Sequence, residues 1–144
     1  MGRYRGAACQ AVWYSWRLMS VNYLHTMIRV RDLDASIAFY QQAFGYQLRS
    51  RRPGPDDREI AFLQLPGETS ELQLSCGTGH MDFSVREGIM HLAFRVDDMD
   101  ATRAAAIAAG ASPVKGPYEL PSGSKVAFLA DPDGFSIELV QKPS

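Results

Sequence analysis

The stretch His25-Thr-Met-Ile-Arg-Val-Arg-Asp-Leu-Asp-Ala-Ser36 returns further along the chain as His91-Leu-Ala-Phe-Arg-Val-Asp-Asp-Met-Asp-Ala-Thr102. His, Arg, Val, Asp, Asp and Ala stand at matched places, at a constant offset from position 25 to position 91. A shorter match places Ser70-Glu-Leu72 over Ile137-Glu-Leu139, at an offset one residue longer. Two matches at nearly one offset indicate an internal duplication.

Each half predicts the same order of elements. A strand rich in β-branched and apolar residues precedes a helix, for which Asp32 is the predicted N-cap and Gly45 the stop in the first half. Three strands separated by Pro and Gly turns follow each helix. The predicted class is α+β, with two tandem βαβββ modules. The predicted strands are Tyr23–Val30, Tyr46–Arg52, Glu59–Leu65, Ser70–Cys76, Met90–Val96, Ser112–Tyr118, Ser124–Leu129 and Phe135–Val140, and the second helix is Met99–Ala109.

The domain organisation follows from this repeat. Residues 21–142 are expected to form one domain, with module one at 21–76, a linker at 77–88 and module two at 89–142. Residues 1–20 contain arginines but no acidic residue, and they are expected to be a poorly ordered extension. An organelle transit peptide is the alternative. Because recognisable structure begins at Val21, Met19 is a second candidate for the translation start.

Composition limits the function classes. The 144 residues carry a net charge of −1, which gives no electrostatic reason to expect a nucleic-acid partner. The sequence contains no apolar run near the ~20 residues that span a bilayer, so no membrane partner is expected either. Cys9 and Cys76 offer no disulfide framework, which favours a protein of the reducing cytoplasm.

Four polar residues stand out on predicted strands: His25, Glu71, His91 and Glu138. Strand side chains alternate between faces, and each of these residues lies opposite the apolar face of its strand. Taken singly, each is typical of a solvated sheet face. Taken together, one His and one Glu from each module are the donors that a divalent first-row metal prefers, and two carboxylates would neutralise its charge.

At these residues the sequence resembles glyoxalase I, the lactoylglutathione lyase of the vicinal oxygen chelate superfamily. The resemblance spans about residues 22–142. Its closing motif Asp-Pro-Asp-Gly…Ile-Glu-Leu is widespread in the superfamily, whereas the opening His-Thr-Met-Ile-Arg-Val and the glutamate at 71 are more specific. The stretches that carry the resemblance are His25–Val30, Asp32–Ser36, Phe39-Tyr40, Phe44-Gly45, Glu71-Leu72, His91–Ala93 and Ala127–Leu139.

The resemblance implies a reaction and a set of roles. His25, Glu71, His91 and Glu138 would bind a divalent metal, nickel or cobalt first and zinc as the alternative. The enzyme would isomerise a methylglyoxal–thiol hemithioacetal to a lactoyl thioester, by proton transfer through a metal-bound enediolate. Glu138 is the main candidate base, with Glu71 across the metal. Arg29 matches a family arginine that contacts the thiol's carboxylate, and the family implies a homodimer with its sites at the interface.

The sequence also departs from the family pattern. Ser75 stands where an Asn that binds glutathione is expected, so the thiol is predicted to be glutathione or another small thiol. Two other readings stay open. One is another metal-dependent enzyme on the same scaffold, an epimerase or a lyase. The other is a non-catalytic small-molecule-binding protein of the bleomycin-resistance type.

Overall fold

The computed structural model describes residues 22–77 and 91–143. The predicted extension at 1–20 and nearly all of the predicted linker lie outside these residues, as does Cys9. The α+β class and the two βαβββ modules are confirmed. The elements are β1 (His25–Arg29), α1 (Leu33–Phe44), β2 (Gln47–Pro53), β3 (Glu59–Gln64), β4 (Glu71–Cys76), β5 (His91–Arg95), α2 (Met99–Ala108), β6 (Ser112–Glu119), β7 (Lys125–Ala130) and β8 (Ser136–Gln141).

An aspartate is the N-cap residue of each helix. The Asp32 carboxylate accepts a hydrogen bond from the Ala35 N–H at 2.9 Å, which confirms the predicted N-cap of α1. Asp98 does the same for α2. Gly45 ends α1 at φ 75°, a left-handed conformation that glycine adopts without strain. Neither described helix is long and apolar enough to cross a membrane.

Each module contributes one four-stranded sheet. The strand orders are β1-β4-β3-β2 and β5-β8-β7-β6. The pairs β1–β4 and β5–β8 are parallel, and the other pairs are antiparallel. In the described ranges the two sheets share no strand pairing, so β1 and β5 each have one open edge. The first strand of each module therefore lies at the margin of its sheet.

The modules meet through their helices. α1 packs against α2, and the ring of Phe44 stacks on that of Phe94 with centroids 4.4 Å apart. The Tyr40 hydroxyl donates to the Asp131 carboxylate at 2.8 Å, and both groups are buried. Burial raises the pKa of Tyr40, and the adjacent Asp131 raises it further. Arg31 adds an ion pair to the buried Asp133 at 3.2 Å. The first module is thus fastened to the turn between β7 and β8.

Candidate metal centre

The first half-site lies on β1 and β4. Parallel pairing places Glu71 directly beside His25, and the Phe62 ring meets the His25 ring edge-on with centroids 5.7 Å apart. The His25 Nδ1 atom is buried and has no hydrogen-bond partner among the described residues. A cavity of about 350 Å³ opens beside this pair, lined by Leu24, His25, Ser50, Arg52, Phe62 and Glu71.

The second half-site lies on β5 and β8. His91 Nε2 is 3.0 Å from Glu138 Oε2, so the two donors already face one another. The Phe128 ring meets His91 edge-on at 6.0 Å, as Phe62 meets His25. Lys115 Nζ lies 4.6 Å from the centroid of Phe128. Glu138 keeps about a fifth of its side chain exposed, which leaves its carboxylate accessible to a ligand.

The four predicted ligands do not meet within one chain. Among residues 22–77 and 91–143, no group of three or more His, Cys, Asp or Glu side chains is arranged to hold a metal ion. The structure instead brings His25 together with Glu71, and His91 together with Glu138, as two separate pairs. Each pair lies on the open-edged strand of its sheet and that strand's neighbour.

Strand register corrects one step of the sequence comparison. In module one Glu71 lies opposite His25, but in module two Ser136 lies opposite His91 and Glu138 stands two residues further along β8. Two residues along a strand correspond to about 6.6 Å. The prediction that the two glutamates occupy repeat-equivalent positions is therefore wrong, although each is adjacent to its histidine.

The residue that matches Glu138 in register is Gln73. Gln73 lies opposite Phe62 in the β3–β4 pairing, as Glu138 lies opposite Phe128 in the β7–β8 pairing. The β3–β4 connection is one residue longer than the β7–β8 connection, and this shifts β4 against the sequence repeat. The Glu-Leu match obscured the shift, because a short motif does not report how a strand is paired.

The donor set fits a divalent ion. Imidazole nitrogen and carboxylate oxygen suit zinc and its first-row neighbours. A buried imidazole nitrogen without a hydrogen-bond partner is uncommon in a folded protein, and His25 Nδ1 is such an atom among the described residues. Two donors from one module leave most of a coordination sphere open. A second pair of donors is needed to complete it.

The two residues predicted to contact the thiol are neighbours. Arg29 lies opposite Ser75 across β1 and β4, on the same side of the sheet as His25 and Glu71. Arg29 is half-buried, and only 4% of Ser75 is exposed. The Ser75 hydroxyl therefore presents little surface to a ligand within one chain.

Sequence reasoning missed several residues around the half-sites. Phe62 and Phe128 repeat at the same offset as the two histidines, and that repeat could have identified them as part of the site. The two cations near these rings, Arg52 and Lys115, leave no such signal because they do not match each other in sequence.

A larger cavity of about 450 Å³ lies between the two modules. Thr26 and Leu72 line it from module one, and Leu92 and Phe94 line it from module two. Tyr46 also borders it, and burial followed by the charge of Glu68 raises the pKa of Tyr46 to about 12. The Tyr46 phenol, like an ordinary tyrosine, is protonated at neutral pH, and the raised pKa keeps it protonated in more alkaline solution as well.

Comparison with known proteins agrees with the fold. The profile of the Glyoxalase/Bleomycin resistance protein/Dioxygenase superfamily matches residues 22–139, which covers both modules and both half-sites. The chain belongs to this superfamily. Membership accounts for the duplicated βαβββ architecture, and the superfamily's three-part name allows for both catalytic and binding members.

Three members of the superfamily are similar to this chain over most of its length. A lactoylglutathione lyase of Haemophilus influenzae is 38% identical over 130 residues, which cover 84% of this chain and 93% of the relative. The trypanothione-dependent glyoxalase I of Leishmania major is 35% identical, with a TM-score of 0.69, over 85% of this chain and 88% of that chain. A variant of glyoxalase I from Zea mays is 30% identical, with a TM-score of 0.73, over 82% of this chain. This chain spans about half of the maize chain, 45% of its length.

Proposed function

We propose that this protein is a glyoxalase I-type lyase, which isomerises the hemithioacetal of methylglyoxal and a small thiol to a lactoyl thioester. It would do so as a homodimer with a divalent metal at each of two sites. The observation that carries the proposal is the division of the ligand quartet into two pairs, each at an open sheet edge. The relatives named lactoylglutathione lyase support the reaction class.

The open edges of β1 and β5 among the described strands support the proposed dimer. If β1 of one chain lies beside β5 of its partner, the pair His25 and Glu71 faces the pair His91 and Glu138 of the other chain. A two-fold axis makes two such sites, and two-fold dimers are the commonest oligomers. Open edges also present unpaired backbone N–H and C=O groups, which favour association with another strand.

The chain's residues divide the work of the reaction. His25, Glu71, His91 and Glu138 would hold a divalent ion, which would supply Lewis-acid stabilisation of negative charge on the substrate. Glu138 is our candidate for the group that removes the proton from one carbon and returns it to the next, with Glu71 opposite. Phe62 and Phe128 contact the two histidine rings edge-on, and these contacts would limit the rotation of the imidazoles.

The thiol, the metal and the cellular location stay predictions. Arg29 is proposed to contact a carboxylate of the thiol, because its planar guanidinium suits a paired hydrogen bond. Ser75 is proposed to be a weaker partner than an amide for the thiol's peptide groups. Nickel or cobalt is expected before zinc, and the cytoplasm is expected as the location.

Metal analysis followed by an activity assay tests the proposal. Purified protein is stripped with a chelator, titrated with nickel, cobalt and zinc, and assayed for thioester formation from methylglyoxal and glutathione or another small thiol. We expect one ion per chain and thioester formation only after the metal is restored. A protein that binds no ion, or that forms no thioester with any ion and any small thiol, would contradict the proposal.

A further inference from the structure

An arginine lies in the cavity beside the first half-site. The Arg52 guanidinium is 5.4 Å from the centroid of Phe62, and Phe62 in turn contacts the His25 ring. Arg52, His25 and Glu71 line the same cavity of about 350 Å³. Arg52 itself is exposed. A ligand bound at the His25–Glu71 pair that extends into this cavity therefore meets a positive charge at the cavity's edge.

The charge of Arg52 is not neutralised within the described chain. Its neighbour on β2, Arg51, is paired with both Glu59 and Asp34. Among residues 22–77 and 91–143, no carboxylate lies within ion-pair distance of Arg52. Glu71 lines the same cavity but is also too far from Arg52 to form an ion pair. A guanidinium that stacks on a ring still offers the N–H donors around its edge. Those donors suit an anionic oxygen.

We propose that Arg52 forms an anion subsite next to the metal half-site, so that the preferred substrate carries a carboxylate or phosphate beside its chelating oxygens. The proposal rests on the proposed function and specifies the preferred aldehyde within it. An anionic 2-oxoaldehyde would be a better substrate than methylglyoxal, whose methyl group leaves the guanidinium without a partner.

A matched pair of chelators isolates this subsite. Kojic acid and comenic acid both chelate a metal through a neighbouring hydroxyl and ketone oxygen. They differ in one substituent, a hydroxymethyl group in kojic acid and a carboxylate in comenic acid. Isothermal titration of the nickel-loaded protein gives both dissociation constants, and their ratio is the preference for the anion. Neither chelator contains a thiol or a peptide, so the measurement does not depend on the thiol site.

Three variants of β2 identify the residue responsible. Arg52→Met is expected to lower the preference for comenic acid about five- to tenfold, the scale of a charge-assisted contact weakened by solvent. Arg52→Lys keeps the charge and should retain most of the preference. Arg49→Met removes an equal charge from an exposed residue of the same strand that does not line the cavity, and should leave the ratio unchanged.

The outcomes separate the two proposals. If both chelators bind and Arg52→Met leaves their ratio unchanged, the anion subsite is wrong while the metal site stands. If Arg52→Met instead weakens binding of S-methylglutathione without changing the chelator ratio, the anion belongs to the thiol and the proposed substrate class is wrong. If the protein takes up no metal, the proposed function itself fails, and this proposal fails with it.

Discussion

Mixing two inactive variants tests whether the site forms between chains. His25→Ala removes a ligand from module one, and His91→Ala removes one from module two. Each variant alone should be inactive, because every site in its homodimer lacks one imidazole. In a mixed dimer, module one of the His91→Ala chain meets module two of the His25→Ala chain, and that site contains all four ligands. The other site of the mixed dimer lacks both histidines.

The activity that the mixture should regain follows from how the ligands are divided between the two sites of a mixed dimer. Random pairing of equal amounts makes about half of the dimers mixed. Each mixed dimer has one intact site of two, so the mixture should regain about a quarter of the unmodified activity and bind about one tightly held ion per mixed dimer. Refolding the variants together and purifying through two different affinity tags isolates the mixed dimer, which should show about half of the unmodified activity.

A second mixture is the control. His25→Ala combined with Glu71→Ala places both lesions in module one, so each site of the mixed dimer lacks one ligand and no recovery is expected. If the purified mixed dimer of His25→Ala and His91→Ala is as inactive as its parents, the site does not form between modules of different chains. Recovery in the control mixture would likewise show that the ligands are wrongly assigned.

Three further predictions concern single residues. Glu138→Gln should lower turnover about 10²- to 10⁴-fold while metal binding survives better, because an amide keeps an oxygen ligand but cannot act as a base; full activity with metal bound would exclude Glu138 as the base. Ser75→Asn should improve turnover with glutathione about tenfold or more relative to other thiols, since an amide both donates and accepts; efficient turnover by the unmodified protein, unimproved by Asn, would contradict a mismatch with glutathione. Tyr40→Phe should lower the free energy of unfolding in urea by about 1.5–3 kcal/mol, because the buried Asp131 loses a donor. Because the pKa of Tyr40 is raised in the folded protein, the stability that this contact contributes is fully present below pH ~10 and is lost as the pH rises above that value. The stability of the variant should not show this loss at high pH. Equal stability of the two proteins and the same pH profile would show that the contact contributes nothing.

The sequence predicted the fold closely because its local signals agree with one another. The first helix was expected to begin after Asp32 and to end at Gly45, and it does. The strands were placed within two residues of their observed ends, since alternation and turn residues mark them independently. Such agreement between cap, period and turn is typical of a sequence that specifies one structure.

The residues proposed for the site come from the sequence, whereas their arrangement comes from the structure. Each histidine lies beside a glutamate, which motif and strand alternation do not specify because both are local. The match of Glu71 with Glu138 failed by two residues. The Glu-Leu motif implied that module two has the longer connection, whereas the connection before the last strand is one residue longer in module one. Whether the two half-sites belong to one chain or to two is invisible in a single sequence, since a duplication permits both closures.

Within residues 22–77 and 91–143 the outer edge of β1 pairs with no strand, and this has a consequence for how the protein assembles. Tyr23 and Leu24, just before the strand, are each about two-thirds exposed, and Met27 within it is also exposed. A newly synthesised chain therefore exposes apolar residues at the edge of β1 before it has bound a partner chain. Dimerisation competes with non-specific association through the same strand edges. The rates of both processes increase with protein concentration. Expression level and temperature should thus influence the yield of usable protein as strongly as the stability of either module.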